Sequence, residues 1–167
     1  MKQEFWKNWK RKTKLEINAI KSLKAAEKII LENIPKDKII AIYVGGSFIR
    51  REMNKRSDVD TYTVVNDNQL LKKFENLEKK YHEVYKPKIS LRAFSIWELK
   101  KNNRHLSSSK PRASPSRFIK KIKEYKLIYG ELLNQEDYAS RSDKEDLEKQ
   151  ISAFQRLFIP LYEKGKM

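Results

Sequence analysis

The chain has 167 residues, with 38 Lys plus Arg against 22 Asp plus Glu and a formal net charge of +16. It has no cysteine, which excludes disulfides, thiolate metal sites and a cysteine nucleophile, and neither of its two histidines has neighbours that prepare it for a multi-histidine metal centre. Its longest apolar run, Ile39–Val44, is far shorter than the roughly 20 residues a membrane-spanning helix needs, and regularly spaced apolar residues argue against disorder along the whole chain.

The length suits a single domain over 1–167, and the charge favours an anionic partner. Met1–Lys14 lacks an apolar signal core, so the default compartment is the cytoplasm. Within Met1–Lys14, Phe5, Trp6 and Trp9 are interleaved with cations. They read as a docked aromatic segment in preference to a base-stacking platform. Ala19, Leu23, Ala26, Ile30 and Ile34 lie on one face of an N-terminal helix (1–34), which Pro35 ends.

A core of 35–130 follows. Ile39–Val44 is an unbroken apolar run and reads as a strand buried on both faces. Gly45-Gly46-Ser47 breaks it, and a short basic segment leads to a second strand, Asp58–Val65. The connection is too short for a packed parallel crossover, so these two strands are expected to be mixed or antiparallel neighbours.

Leu70, Phe74, Leu77 and Tyr81 predict an amphipathic helix, and Ile89–Ile96 a third strand. Ser95 with Glu98 has capping-box spacing. Asn102–Ser116 reads as a loop carrying Arg104, His105, Lys110 and Arg112. Ser114-Pro115 marks a helix start, Leu127–Gly130 a short strand, and Ser142 with Glu145 the start of a C-terminal helix (142–160) bearing Leu147, Ile151, Phe154 and Phe158. The fold class is α+β or mixed α/β. His82 and His105 read as surface residues.

The chemistry concentrates in Gly45–Asp60. Asp58 and Asp60 are two apart on a predicted strand, so both carboxylates point to one face. A bare pair repels, and a hard divalent cation, Mg²⁺ or Mn²⁺, removes that cost. Gly45-Gly46-Ser47 lies at a strand-to-helix turn, where glycine admits an anion and free N–H groups receive it. Together these residues describe a site for a metal-bound nucleoside triphosphate.

The segment resembles the nucleotidyltransferase superfamily of the DNA polymerase beta type, in which a Gly-Ser turn precedes Asp-x-Asp by about ten residues. Here ten residues separate Ser47 from Asp58. The text GSFIRRE…SDVD is similar to that of minimal nucleotidyltransferases, including antitoxin partners of HEPN toxins. The resemblance implies a mixed β-sheet flanked by helices and Mg²⁺-dependent transfer of a nucleoside monophosphate from a triphosphate, ATP, to a hydroxyl on RNA or protein. It also implies that Asp58 and Asp60 ligate the metal and that Gly46 and Ser47 hold the phosphates. By position and charge, Gly45, Arg50, Arg51, Arg56 and Arg92 join the expected nucleotide-binding set, with Arg51 a departure at a place where relatives often have glycine.

The family has a third carboxylate on the next strand, whereas Lys88–Ile96 contains no acid. Its place falls to Ser90 or Arg92, depending on register. Three explanations stand side by side. Glu83 or Glu98 reaches the site, one metal suffices, or catalysis is lost and the fold binds RNA, nucleotide or a partner protein. The acceptor, base preference and oligomeric state are not readable.

Overall fold

The computed structural model describes residues 4–107, 114–157 and 159–160. Helix α1 (Lys14–Asn33) opens with a capping box: the Thr13 hydroxyl accepts from the Glu16 N–H, and the Glu16 carboxylate accepts from the Thr13 N–H. Its buried stripe includes Ala19, Leu23, Ala26 and Ile30, and the helix stops before Pro35 as expected. The helix begins later than the sequence reading places it. Ahead of it lies a short 3₁₀ turn, Phe5–Asn8, whose Trp6 is buried. Phe5 and Trp9 meet Phe48 edge-on at ring distances of 5.9 and 5.3 Å, so the N-terminal aromatics are docked.

Four strands form one sheet in the order β3-β2-β1-β4: β1 (Ile39–Gly45), β2 (Val59–Val65), β3 (Ile89–Ser95) and β4 (Lys126–Gly130). Strand β1 pairs antiparallel with both β2 and β4. Strands β2 and β3 are parallel, with helix α3 (Leu70–Tyr81) in their crossover. The sheet is therefore mixed. Asp58 precedes the β2 ladder instead of opening it.

Alternation along β1 feeds two cores. Ile42 and Val44 join Leu23, Ile30 and Phe74 on one face. Ala41 and Tyr43 join Tyr62, Phe94 and Phe118 on the other. Each Val, Leu, Ile or Phe among them, fully buried, contributes about 1.5–3 kcal/mol. Helix α2 (Gly46–Arg50) follows β1 directly, and α4 (Ile96–Lys101) is capped by the expected Ser95–Glu98 box. Helix α5 (Pro115–Lys121) brings Phe118 onto the second face.

Helix α6 (Asp143–Leu157) is tied to α5 by Lys120, whose ammonium lies 2.9 Å from Asp143 and 2.7 Å from Asp146. Leu147, Ile151 and Phe154 on it are exposed, and Phe158 lies outside the described residues. Lys110 and Arg112 lie outside them too. No helix among the described residues is long and apolar enough to cross a membrane.

Gly130 closes the sheet at φ +84°, where a Cβ would strike the Ile40 carbonyl. The substitution Gly130→Ala is expected to destabilise the fold by roughly 1–3 kcal/mol, read as a lower urea midpoint with an unchanged slope.

Candidate active site

The antiparallel register places Gly45 opposite Asp60. Gly46 follows at φ +74°, in the left-handed region that favours glycine. A Cβ on Gly46 would lie 2.7 Å from Asp60 Oδ2, so only a bare main chain can approach that carboxylate this closely. At Gly45 a Cβ would meet Tyr125 at 2.8 Å and Tyr62 at 2.9 Å. These two rings stack at 4.7 Å and cover the turn. Ser47 is the next residue of α2 and is half-buried.

The parallel β2–β3 register pairs Asp60 with Ser90 and Tyr62 with Arg92. Paired residues of parallel strands share a face, so both Ser90 and Arg92 stand on the side of Asp60. An Arg92 guanidinium nitrogen lies 3.2 Å from Asp60 Oδ1. Arg92 Nε donates to Ser90 Oγ at 3.2 Å, and another of its nitrogens donates to the Tyr62 hydroxyl at 3.4 Å. Ser90 Oγ in turn donates to Glu78 Oε1 at 3.3 Å. A polar chain thus runs Glu78–Ser90–Arg92–Asp60. Burial pushes the Asp60 carboxyl above its ordinary range; Arg92 opposes this shift and Asp58 adds to it.

Neither acid expected to complete the site belongs to it. Glu83 is exposed and paired with Lys88 at 2.6 Å. Glu98 is fully buried at the far end of β3, where it caps Ser95 and accepts from the His105 N–H at 2.9 Å. The acid the sequence reading missed is Glu78. The signal was its place four residues after Phe74 and three before Tyr81, next to the stripe that packs on the sheet.

Two clefts flank the aspartates. One, of about 410 Å³, is lined by Gly46, Arg50, Arg92, Arg117, Lys121 and Tyr125, among others. The other, of about 570 Å³, holds Asp58 with Lys55, Arg56, His82, Lys86 and Lys88. His82 is half-buried, not a simple surface residue, with Nδ1 2.6 Å from the Ile89 carbonyl oxygen. Arg50 is exposed, and its Nε donates to Glu52 at 2.7 Å.

Arg51 turns away from both clefts. Its guanidinium bonds the Glu16 carboxylate at 2.7 and 3.2 Å and the Lys10 and Arg11 carbonyls at 3.3 and 3.2 Å. It also lies 5.0 Å from the Trp9 ring centre. Arg51 therefore clamps the N-terminal segment to the glycine turn, and the expectation that it contacts nucleotide is set aside.

Asp58 and Asp60 supply hard oxygen donors suited to one Mg²⁺ shared with phosphates. Among the described residues, no group of three or more His, Cys, Asp or Glu is placed to hold a metal ion.

The family model for polymerase beta and nucleotidyltransferases matches residues 27–131. Spectinomycin adenyltransferase AAD(9) from Enterococcus faecialis, solved with ATP and spectinomycin, is a structural match with 18% identity and a TM-score of 0.51, covering 90% of this chain and 69% of that one. A toxin–antitoxin chain solved with AMP-PNP matches with 19% identity and a TM-score of 0.45, covering 84% of this chain and 92% of that one. No curated protein matches in sequence.

The Arg51 guanidinium holds the Glu16 carboxyl at about 2, below its ordinary 4.5. A depressed carboxyl stabilises the fold above the unfolded value, and this contribution is lost as pH falls from 4.5 towards about 2. Glu16→Gln is expected to cost about 1–2 kcal/mol at neutral pH and to flatten the acid limb of a stability–pH curve measured by urea melts.

Proposed function

The chain belongs to the polymerase beta-type nucleotidyltransferase family, and on that premise we propose that it transfers a nucleoside monophosphate from a triphosphate to a hydroxyl on RNA. The observation that supports this reading is the close approach of Gly46 to Asp60, where a Cβ would lie 2.7 Å from Asp60 Oδ2. Asp58 and Asp60 are the residues that would hold Mg²⁺, and the bound ion screens the charge of the triphosphate.

The chain's own groups do the rest. Gly46 and Ser47 present the main chain and a hydroxyl to the phosphates. Arg50 and Arg92 line the cleft beside them. The acceptor oxygen bonds to the α-phosphorus, the bond from that phosphorus to the bridging oxygen breaks, pyrophosphate leaves, and the hydroxyl proton passes to solvent. ATP, with which AAD(9) was solved, is the first donor to test.

The clefts favour a polyanionic acceptor. Lys55, Arg56, Lys86 and Lys88 rim the Asp58 side, and Arg117 and Lys121 stand across the other. Arg50, Arg92, Arg117 and Lys121 outnumber Glu124 and the neighbouring Asp60, which disfavours a cationic small molecule. A second reading, a module that binds RNA, nucleotide or a partner protein without catalysis, is favoured by the Arg92–Asp60 ion pair, which occupies one face of the carboxylate.

Incubation with α-labelled ATP, Mg²⁺ and cellular RNA or lysate separates the two readings. Label is expected on RNA and to fall by at least about 100-fold in Asp58→Ala/Asp60→Ala. Label retained by the double variant sinks the site assignment, and label on protein redirects the acceptor. Salt-sensitive RNA binding with no transfer supports the binding module. Gly46→Ala is expected to abolish transfer in the same assay, because its Cβ would collide with Asp60.

A further inference from the structure

We infer that Arg92 is the fixed second cation of this site and confines the Asp58–Asp60 edge to a single divalent ion. The inference rests on reading that edge as a metal–triphosphate site.

The geometry is specific. Arg92 comes within 3.2 Å of one oxygen of Asp60, while the other oxygen lies against Gly46. The guanidinium is held from three sides, by Asp60, the Ser90 hydroxyl and the Tyr62 hydroxyl, with the Tyr62 ring 5.6 Å from its carbon. Tyr62 is itself braced by the stacked Tyr125. Such a cation is preorganised, and a guanidinium does not lose its proton, so its charge is permanent.

A first divalent ion still finds Asp58, the free arc of Asp60 and the incoming phosphates. A second ion sharing Asp60 would meet a fixed positive charge and find, among the described residues, no third acid grouped with Asp58 and Asp60. Glu78 is linked to the pair through Ser90, from whose hydroxyl it accepts. Glu78 and Ser90 are thus positioning residues that orient Arg92.

The test counts ions. Mn²⁺ is titrated into the full chain in the presence of a non-hydrolysable α,β-methylene ATP analogue, and free Mn²⁺ is followed by electron paramagnetic resonance. The wild type is expected to bind about one Mn²⁺ per chain and Arg92→Glu about two. Arg92→Gln, which removes the charge and keeps the bulk, is expected to keep one ion and bind it roughly tenfold more tightly.

Two ions on the wild type, one ion on a folded Arg92→Glu, or unchanged affinity in Arg92→Gln overturns the role of Arg92. If Arg92→Glu does not fold, the Arg92→Gln affinity decides. Two ions on the wild type leave the metal–triphosphate reading standing. A wild type that takes up no Mn²⁺ brings down that reading as well.

Discussion

The pairing of Gly45 with Asp60 across two antiparallel strands is the constraint on which the site depends. It brings the end of β1, where the chain turns into α2, against a carboxylate near the start of β2. The contact is possible only because Gly46 carries no side chain and adopts a positive φ. The surroundings hold it from both sides. The Tyr62–Tyr125 stack covers Gly45, and Arg51 locks the far end of the turn to Glu16 and the N-terminal segment. The turn is thus held from both sides between two packed cores.

Electrostatics around that contact are divided by strand register. Parallel pairing of β2 with β3 puts Ser90 beside Asp60 and lets Arg92 reach back to it. Burial raises the cost of ionising Asp60, and the guanidinium offsets part of that cost. Further cations line two clefts, Arg50, Arg117 and Lys121 on the Gly46 side and Lys55, Arg56, Lys86 and Lys88 on the Asp58 side. These cations flank an acidic centre, an arrangement that attracts anions from more than one side.

Much of the fold was legible from local signals. Apolar spacing of four and three located α1 and α3, the unbroken run located β1, and the capping boxes at Ser95 and Ser142 marked where helices begin. The signals failed where the outcome depends on partners distant in sequence. Arg51 looked like Arg50, its neighbour, yet their side chains diverge because Arg51 is the left-handed cap of α2 and meets Glu16, 35 residues away. Glu98 looked available and is a buried cap. Glu78 joins the polar chain to Arg92 through Ser90, a partner 12 residues away.

The sequence by itself determined the family, the glycine turn, the two aspartates and the absence of an acid on the third strand, because each is a matter of residue type and spacing along the chain. It left open whether Ser90 or Arg92 would stand beside Asp60. The two lie two residues apart and share a face, so a two-residue shift in register would exchange them opposite Asp60, and no local pattern fixes that shift. Only the packed sheet decided it. With β2 and β3 parallel and Asp60 opposite Ser90, both residues share the site face, and the charge that meets Asp60 is a permanent cation.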